Sequence, residues 1–244
     1  MTARPMELQI VSFQNVGQRD YQEDAYYSRL FVVCDGVGGS TKGALASKSV
    51  IDVIAESYRH FKGKRAKWIP EKAVRKAEQA LRDKVVEEPT LDGMATTIAL
   101  LYLESASRFV VLHVGDSRVY SYDHMVELLW CSKDHSIVQE LYDQGILTSQ
   151  EEMRSHPLKN RITKAITASE SDGAPVELTI SRLNYNACGG RFLLCSDGVI
   201  EQLSDADLQG YVAHQQFATG IADLDRHCQL TSKDNNTCIA LKYW

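Results

Sequence analysis

The chain has 244 residues, 44% hydrophobic and 24% charged, with 27 Lys and Arg against 32 Asp and Glu for a net charge of −5. This ordinary globular composition excludes a disordered or fibrous chain, and the acidic balance argues against nucleic-acid binding, which calls for a basic excess or stripe. No apolar run approaches a membrane span and the N-terminus MTARPMELQIV lacks a signal-peptide core, so the expectation is a cytoplasmic protein that touches no membrane.

No Pro-, Gly- or Ser-rich linker divides the sequence, and residues 1–244 read as a single domain. The six cysteines form no C-x-x-C pair and read as buried thiols. The one basic cluster, Lys62-Gly63-Lys64-Arg65-Ala66-Lys67, reads as a solvated loop between helices.

In chain order, Leu8, Ile10 and Phe13 predict an opening strand and residues 30–35 a second. Helical spacing of apolar positions predicts a helix over 42–58. A second helix is predicted over 70–87, with Pro70 in its first turn and surface pairs Glu71–Arg75 and Glu78–Arg82. The period then changes, and 95–103, 109–114, 118–122 and 126–130 read as successive strands. From 132 to about 174 the alternation disappears, which predicts an insertion with short helices near 136–143 and 149–154. Strands return over 176–183 and 191–195, helices over 204–213 and 216–230, and a final strand over 237–243. Helices segregated from mainly antiparallel strands predict an α+β fold. Its layers would be a β-sandwich of two sheets with helices on both outer faces, α-β-β-α.

Four of these strands have an aspartate at one end. FVVCDGVGG gives Asp35, FVVLHVGDSR gives Asp116, FLLCSDG gives Asp197, and DNNT places Asp234 ahead of the last strand. Any one of them could be an ordinary turn aspartate. Together they need counter-charge, because carboxylates gathered at the ends of buried strands repel one another. An oxygen-only set with few His or Cys suits hard cations such as Mg²⁺ or Mn²⁺, so Asp35 is most simply a metal ligand.

The ordered set RDYQEDA, VVCDGVGG, MATT, VGDSR, DHS, SDG and DNNT, running from Arg19 to Thr237, resembles the metal-dependent protein serine/threonine phosphatases, the PPM or type 2C family, in its bacterial branch. The resemblance implies that Asp35 bridges two Mn²⁺ or Mg²⁺ ions. Asp197 and Asp234 complete the first ion's protein ligands; the Gly36 carbonyl and Glu23 serve the second. It implies an outer-shell role for Asp24 and a phosphate grip for Arg19. Asp116 matches the residue that, with Asp197, holds a third, weaker ion in related enzymes. The implied reaction is direct attack on phosphoserine or phosphothreonine by a hydroxide held between two ions, with no phosphoenzyme. The substrates would be phosphoproteins made by a bacterial Ser/Thr kinase, and the enzyme a monomer. The segment 132–174 resembles the flap beside the cleft of bacterial relatives.

Other motifs read as structural. GDSR at 115–118 looks like a protease nucleophile motif but lacks its second glycine, and GGSTKGA at 38–44 has Ala44 where a phosphate-loop lysine would follow Gly43. Cys34 should face the core, away from Asp35, and His135 reads as a capping or packing residue. Two positions depart from the family pattern. Val37 stands where animal members carry a histidine that could protonate the leaving group, and Ala95 stands where a glycine is usual. The competing reading is a catalytically inactive phosphatase-fold module that binds a partner; retention of Asp35, Asp197 and Asp234 argues for the enzyme.

Overall fold

The computed structural model describes the chain outside residues 1–6, 28–29, 39–40, 62–67, 106–107, 169–174 and 185–187. The basic cluster at 62–67 therefore lies outside the described residues.

The elements run β1 (Leu8–Asn15), β2 (Ala25–Tyr27), β3 (Val32–Cys34), β4 (Gly36–Val37), α1 (Thr41–Phe61), α2 (Pro70–Glu87), β5 (Ala95–Thr96), β6 (Ile98–Ser105) and β7 (Arg108–Val114). They continue through β8 (Arg118–Asp123), β9 (Leu128–Cys131), α3 (Ile137–Asp143), α4 (Gln150–Ser155), β10 (Ile166–Thr167), β11 (Thr179–Asn184) and β12 (Gly190–Cys195). The chain closes with α5 (Asp197–Ile200), α6 (Asp205–Ala213), α7 (Phe217–Thr231) and β13 (Asn236–Tyr243).

Two five-stranded antiparallel sheets form the centre. Their orders are β1-β13-β12-β8-β9 and β11-β7-β6-β3-β2, and a small third sheet, β10-β5-β4, lies beside the second. The alternation of side chains builds three cores from them. Phe192 and Leu194 of β12 point inward with Ile239 and Leu241 of β13 to meet Val33, Ala99, Leu101, Phe109 and Val111 of the facing sheet. The neighbouring Leu193 and Cys195 point the other way, into a second core with Leu208, Val212, Ile221 and Leu224 of α6 and α7. On the far side, Val32, Cys34, Leu100 and Leu112 meet Val50, Ile54, Ala77 and Leu81 of α1 and α2. Strands buried on both faces read as unbroken apolar runs, which is why FLLC and FVVC carry no polar alternation. The result is the α+β sandwich with helices on both outer faces.

Local chemistry sets several element ends. Pro70 occupies the first turn of α2, where its missing N–H leaves no bond unmade. Ser204 and Asp207 form a reciprocal capping box on α6. Two expectations need correction. Glu78 is not on the surface: it is 2% exposed, pairs with both Arg75 (3.0 Å) and Arg82 (2.9 Å), and accepts the Val176 N–H at 3.0 Å. Arg75 thus turns toward Glu78 rather than Glu71, because a buried carboxylate must collect donors. The strand expected over 95–103 is broken at Thr97 into β5 and β6, which belong to different sheets.

Candidate active site

The break at Thr97 serves Asp35. Just past β3, the Asp35 N–H donates to Thr97 Oγ1 (3.0 Å), and its carbonyl accepts from the Thr97 N–H (2.8 Å) and the Thr96 hydroxyl (2.8 Å). Thr97 Oγ1 also bonds Ser117 Oγ at 2.7 Å, so the Asp35 corner is tied to the β7–β8 turn that carries Asp116. Ser117 is buried in this contact and is structural.

The next residues pack on the start of α1. The Gly36 N–H donates to the Glu23 carbonyl (3.2 Å), which also accepts from the Ser47 hydroxyl. Gly36 and Gly43 lie backbone to backbone, and a Cβ on Gly43 would come within 2.5 Å of Glu23 Oε1. Only glycine leaves room there for the carboxylate. Asp24, 5% exposed, is held from the other sheet: its Oδ2 accepts from Ser196 Oγ (2.7 Å), and that oxygen accepts the Thr237 N–H (3.0 Å). Its Oδ1 is buried with no hydrogen bond of good geometry. Burial, only partly offset by Thr237 and Ser196, lifts the Asp24 pKa to about 7.

Asp197 opens α5 directly after β12, and Asp234 stands just ahead of β13. Asp234 Oδ2 pairs with Arg19 at 2.5 Å, while Oδ1 accepts the Asn235 N–H at 2.8 Å. That pairing, reinforced by the charges of Glu23 and Asp197, raises the Arg19 pKa. Asp116, Asp197 and Asp234 line one cavity of about 160 Å³, whose lining is completed in part by Arg154, Lys159 and Asn160. Burial, together with the charges of Asp24, Asp197 and Asp116, pushes the Asp35 pKa well above the carboxylate range. Asp197 rises to about 6, through burial and then Asp234; Asp116 rises through burial, Asp197 and Asp134.

The four strand-end aspartates therefore converge, with Asp24 immediately behind them and Arg19 at Asp234. Glu23 and Gly36 adjoin them against α1 but do not line the cavity. Among the described residues, no three His, Cys, Asp or Glu side chains stand arranged around one point as a metal cage; Asp35 and Asp197 face each other, and Asp234 faces Arg19. The donor set nonetheless fits hard cations. It is all oxygen, burial and mutual repulsion raise the proton affinity of Asp24, Asp35, Asp116 and Asp197, and divalent charge would relieve that crowding.

Several supporting residues stand inside the quoted motifs, but their partners appear only in the fold. Arg118 grips Asp134 through two bonds of 2.7 Å beside Asp116. Asn235 and Ser196 cross-link the chain segments around the carboxylates. His135 accepts the Gly115 N–H at Nδ1 (3.0 Å), bonds Thr179 Oγ1 through Nε2 (2.9 Å) and stacks on His113, so it packs the β7–β8 turn. Cys34 is fully buried in the core beneath α1. Burial, with Asp24 and Asp35 nearby, drives its thiol pKa well up, the opposite of a reactive cysteine.

The family model described as protein phosphatase 2C matches residues 18–232. Serine/threonine protein phosphatase PstP of Mycobacterium tuberculosis is 37% identical over 189 residues, 77% of this chain; the match spans 35% of that relative's own length. Serine/threonine phosphatase stp of Listeria monocytogenes is 27% identical over 80% of this chain and 76% of its own. A solved structure of the catalytic domain of PstP in complex with two manganese ions superposes with a TM-score of 0.82, at 29% identity, over 98% of this chain and 99% of that one.

Proposed function

The chain belongs to the protein phosphatase 2C family, and on that basis we propose that it is a metal-dependent phosphatase acting on phosphoserine and phosphothreonine in proteins, opposing a Ser/Thr kinase. The observation that carries the reading is the convergence of Asp35, Asp116, Asp197 and Asp234 from separate strand ends, where burial and neighbouring carboxylates raise the proton affinity of Asp35, Asp116 and Asp197. Like charges packed this closely call for cations, and Arg118 and Arg19 are already engaged by Asp134 and Asp234.

In this reading Asp35, Asp197, Asp234, Glu23 and the Gly36 carbonyl would hold two Mn²⁺ or Mg²⁺ ions, and Asp116 with Asp197 would hold a third, weaker one. When bound, the ions supply the charge that acidifies water for direct attack on phosphorus and that neutralises the phosphoryl oxygens. The protein's own groups do the rest. Asp24, braced by Ser196, keeps a carboxylate behind the ligands without touching substrate. Arg19, whose guanidinium stands at Asp234, would give the substrate phosphate a planar, bidentate grip. Cys34 is sealed in the core and Ser117 is bound to Thr97, so neither serves as a nucleophile. The segment 132–174, which brings Arg154 and Lys159 to the cavity, is the part of the chain suited to reading the protein around the phosphate.

The test is direct. Purified protein with Mn²⁺ should hydrolyse p-nitrophenyl phosphate and a phosphothreonine peptide, and EDTA should stop both. Mn²⁺ binding without turnover would replace the enzyme with an inactive binding module of the same fold.

A further inference from the structure

The side-chain amide of Asn235 commits all its strong bonds to one stretch of chain. Its Oδ1 accepts the Glu23 N–H at 2.6 Å, and its Nδ2 donates to the carbonyls of Val16 (2.7 Å) and Tyr21 (3.1 Å). Those two carbonyls bracket the loop on which Arg19 stands. The orientation of the amide follows from its partners: turned over, its oxygen would face two carbonyl oxygens and its NH₂ would face an N–H. Asn235 is 2% exposed, so these partners have no ready solvent substitute.

The same residue also touches the other side of the site. Its N–H donates to Asp234 Oδ1, and Gly198, next to Asp197, backs onto its carbonyl. The loop meets the same strand end at other points: Gln18 N–H reaches the Lys233 carbonyl at 3.1 Å, Arg19 N–H the Val16 carbonyl at 3.4 Å, and the Arg19 side chain pairs with Asp234. Gly17, at φ +67°, lies so close to the Asp234 carbonyl that a Cβ would overlap it. Loop and strand end are thus pressed together, and the Asn235 amide sets their register.

We propose that Asn235 is a positioning residue. It holds residues 16–21 against Asp234 so that Arg19 meets the substrate phosphate, and it fixes Glu23 through its backbone in the same contact. The inference rests on the phosphatase reading and adds the device that couples phosphate grip to the aspartates of the facing sheet. On this reading a near-isosteric aspartate should serve poorly there. A carboxylate offers no donor to two carbonyls and adds one more negative charge to the cluster.

The test is a double-mutant cycle between Asn235→Ser and Arg19→Ala, read on p-nitrophenyl phosphate with Mn²⁺. A hydrogen-bonded anchor for a charged contact is worth about ten-fold in binding, so Asn235→Ser should raise KM by about ten-fold with a smaller fall in kcat. In the Arg19→Ala background that KM effect should vanish, because the residue it positions is gone. Asn235→Asp should raise KM further than Asn235→Ser despite its shape, and Asn235→Gln, which keeps the amide's donors and acceptor but displaces them, supplies the cycle if the serine variant does not fold. Equal KM effects in both backgrounds would overturn the proposal. Hydrogen exchange over residues 16–23 gives an arm independent of turnover: Asn235→Ser should speed it, and unchanged exchange would overturn the proposal. A wild-type protein that binds Mn²⁺ but turns over nothing, with exchange still accelerated by the variant, would count against the phosphatase reading instead.

Discussion

Asp35 shows what a single residue costs and does here. Its carboxyl stands among Asp24, Asp197 and Asp116, and each neighbour makes ionisation harder. Asn is neutral and near-isosteric like the protonated Asp35 carboxyl, so the metal-free protein should melt no lower than wild type with Asp35→Asn. The rise in Tm that Mn²⁺ gives the wild type should be lost, together with turnover. Differential scanning fluorimetry with and without EDTA checks both halves; a normal Mn²⁺ response would remove Asp35 from the ligand set. The same crowding fixes a pH trend. Asp24 and Asp197, at about 7 and about 6 in the folded protein, lie above the ordinary carboxylate value of 3.8. The native state therefore binds more protons than the unfolded chain below pH 7, and the metal-free protein should gain stability from pH 8 to pH 6. Tm measured in EDTA across that window tests the sign. Arg19→Ala should chiefly raise KM for phosphate esters, since it deletes a contact to substrate and leaves the carboxylates in place. The four strand-end aspartates were legible in the sequence because each interrupts a buried apolar run. Asn235, Ser196 and Thr97 fall within the quoted motifs, but their roles were not legible, because their work is to bond groups that only the folded chain brings near.

At the scale of elements, the short ends matter more than the long strands. Thr97 gives up strand pairing to bond Asp35 on both sides, at N–H and at carbonyl. Thr97→Val keeps the shape but leaves the Asp35 N–H and the Ser117 hydroxyl without that partner, which should cost about 1–3 kcal/mol of stability by denaturant titration. His135 plays a similar part for the β7–β8 turn. Burial first, then His113, lowers its pKa to about 4 from the ordinary 6.5. The unfolded chain therefore binds the extra proton as pH falls below 6.5, and the stability tied to neutral His135 drains away toward pH 4. Comparing His135→Gln with wild type over pH 7 to 4 should show a shallower loss in the variant. Long helices and strands were readable from periodicity and proline placement, and α2 begins at the expected Pro70. The two-residue strands β4, β5 and β10, the short α5 and the three-residue β2 were not, since segments that short carry no period and exist only through their partners.

For the whole molecule, the stack of two sheets between two helix pairs depends on the middle core. Phe109 of one sheet packs on Phe192 (4.7 Å between ring centres) and Tyr243 (5.4 Å) of the other. Phe109→Ala should cost about 3–5 kcal/mol, and because both sheets share that contact, near- and far-UV signals should fall in one transition. Separate transitions would argue that the layers fold independently. Layer order was inferable from helices segregated from strands, but sheet order was not. No pattern in the sequence says that β1 lies beside β13, or that β2 and β3 extend the sheet of β6 and β7.

The carboxylates are divided between the two stacked sheets. Asp35 follows a strand of one, Asp197 and Asp234 flank strands of the other, and Asp116 sits where the chain crosses between them. Ions gripped by such a set would act as rivets through two plates, so shear between the plates and loss of metal become the same event. Single-molecule pulling that slides one layer past the other should meet higher resistance in Mn²⁺ than in EDTA.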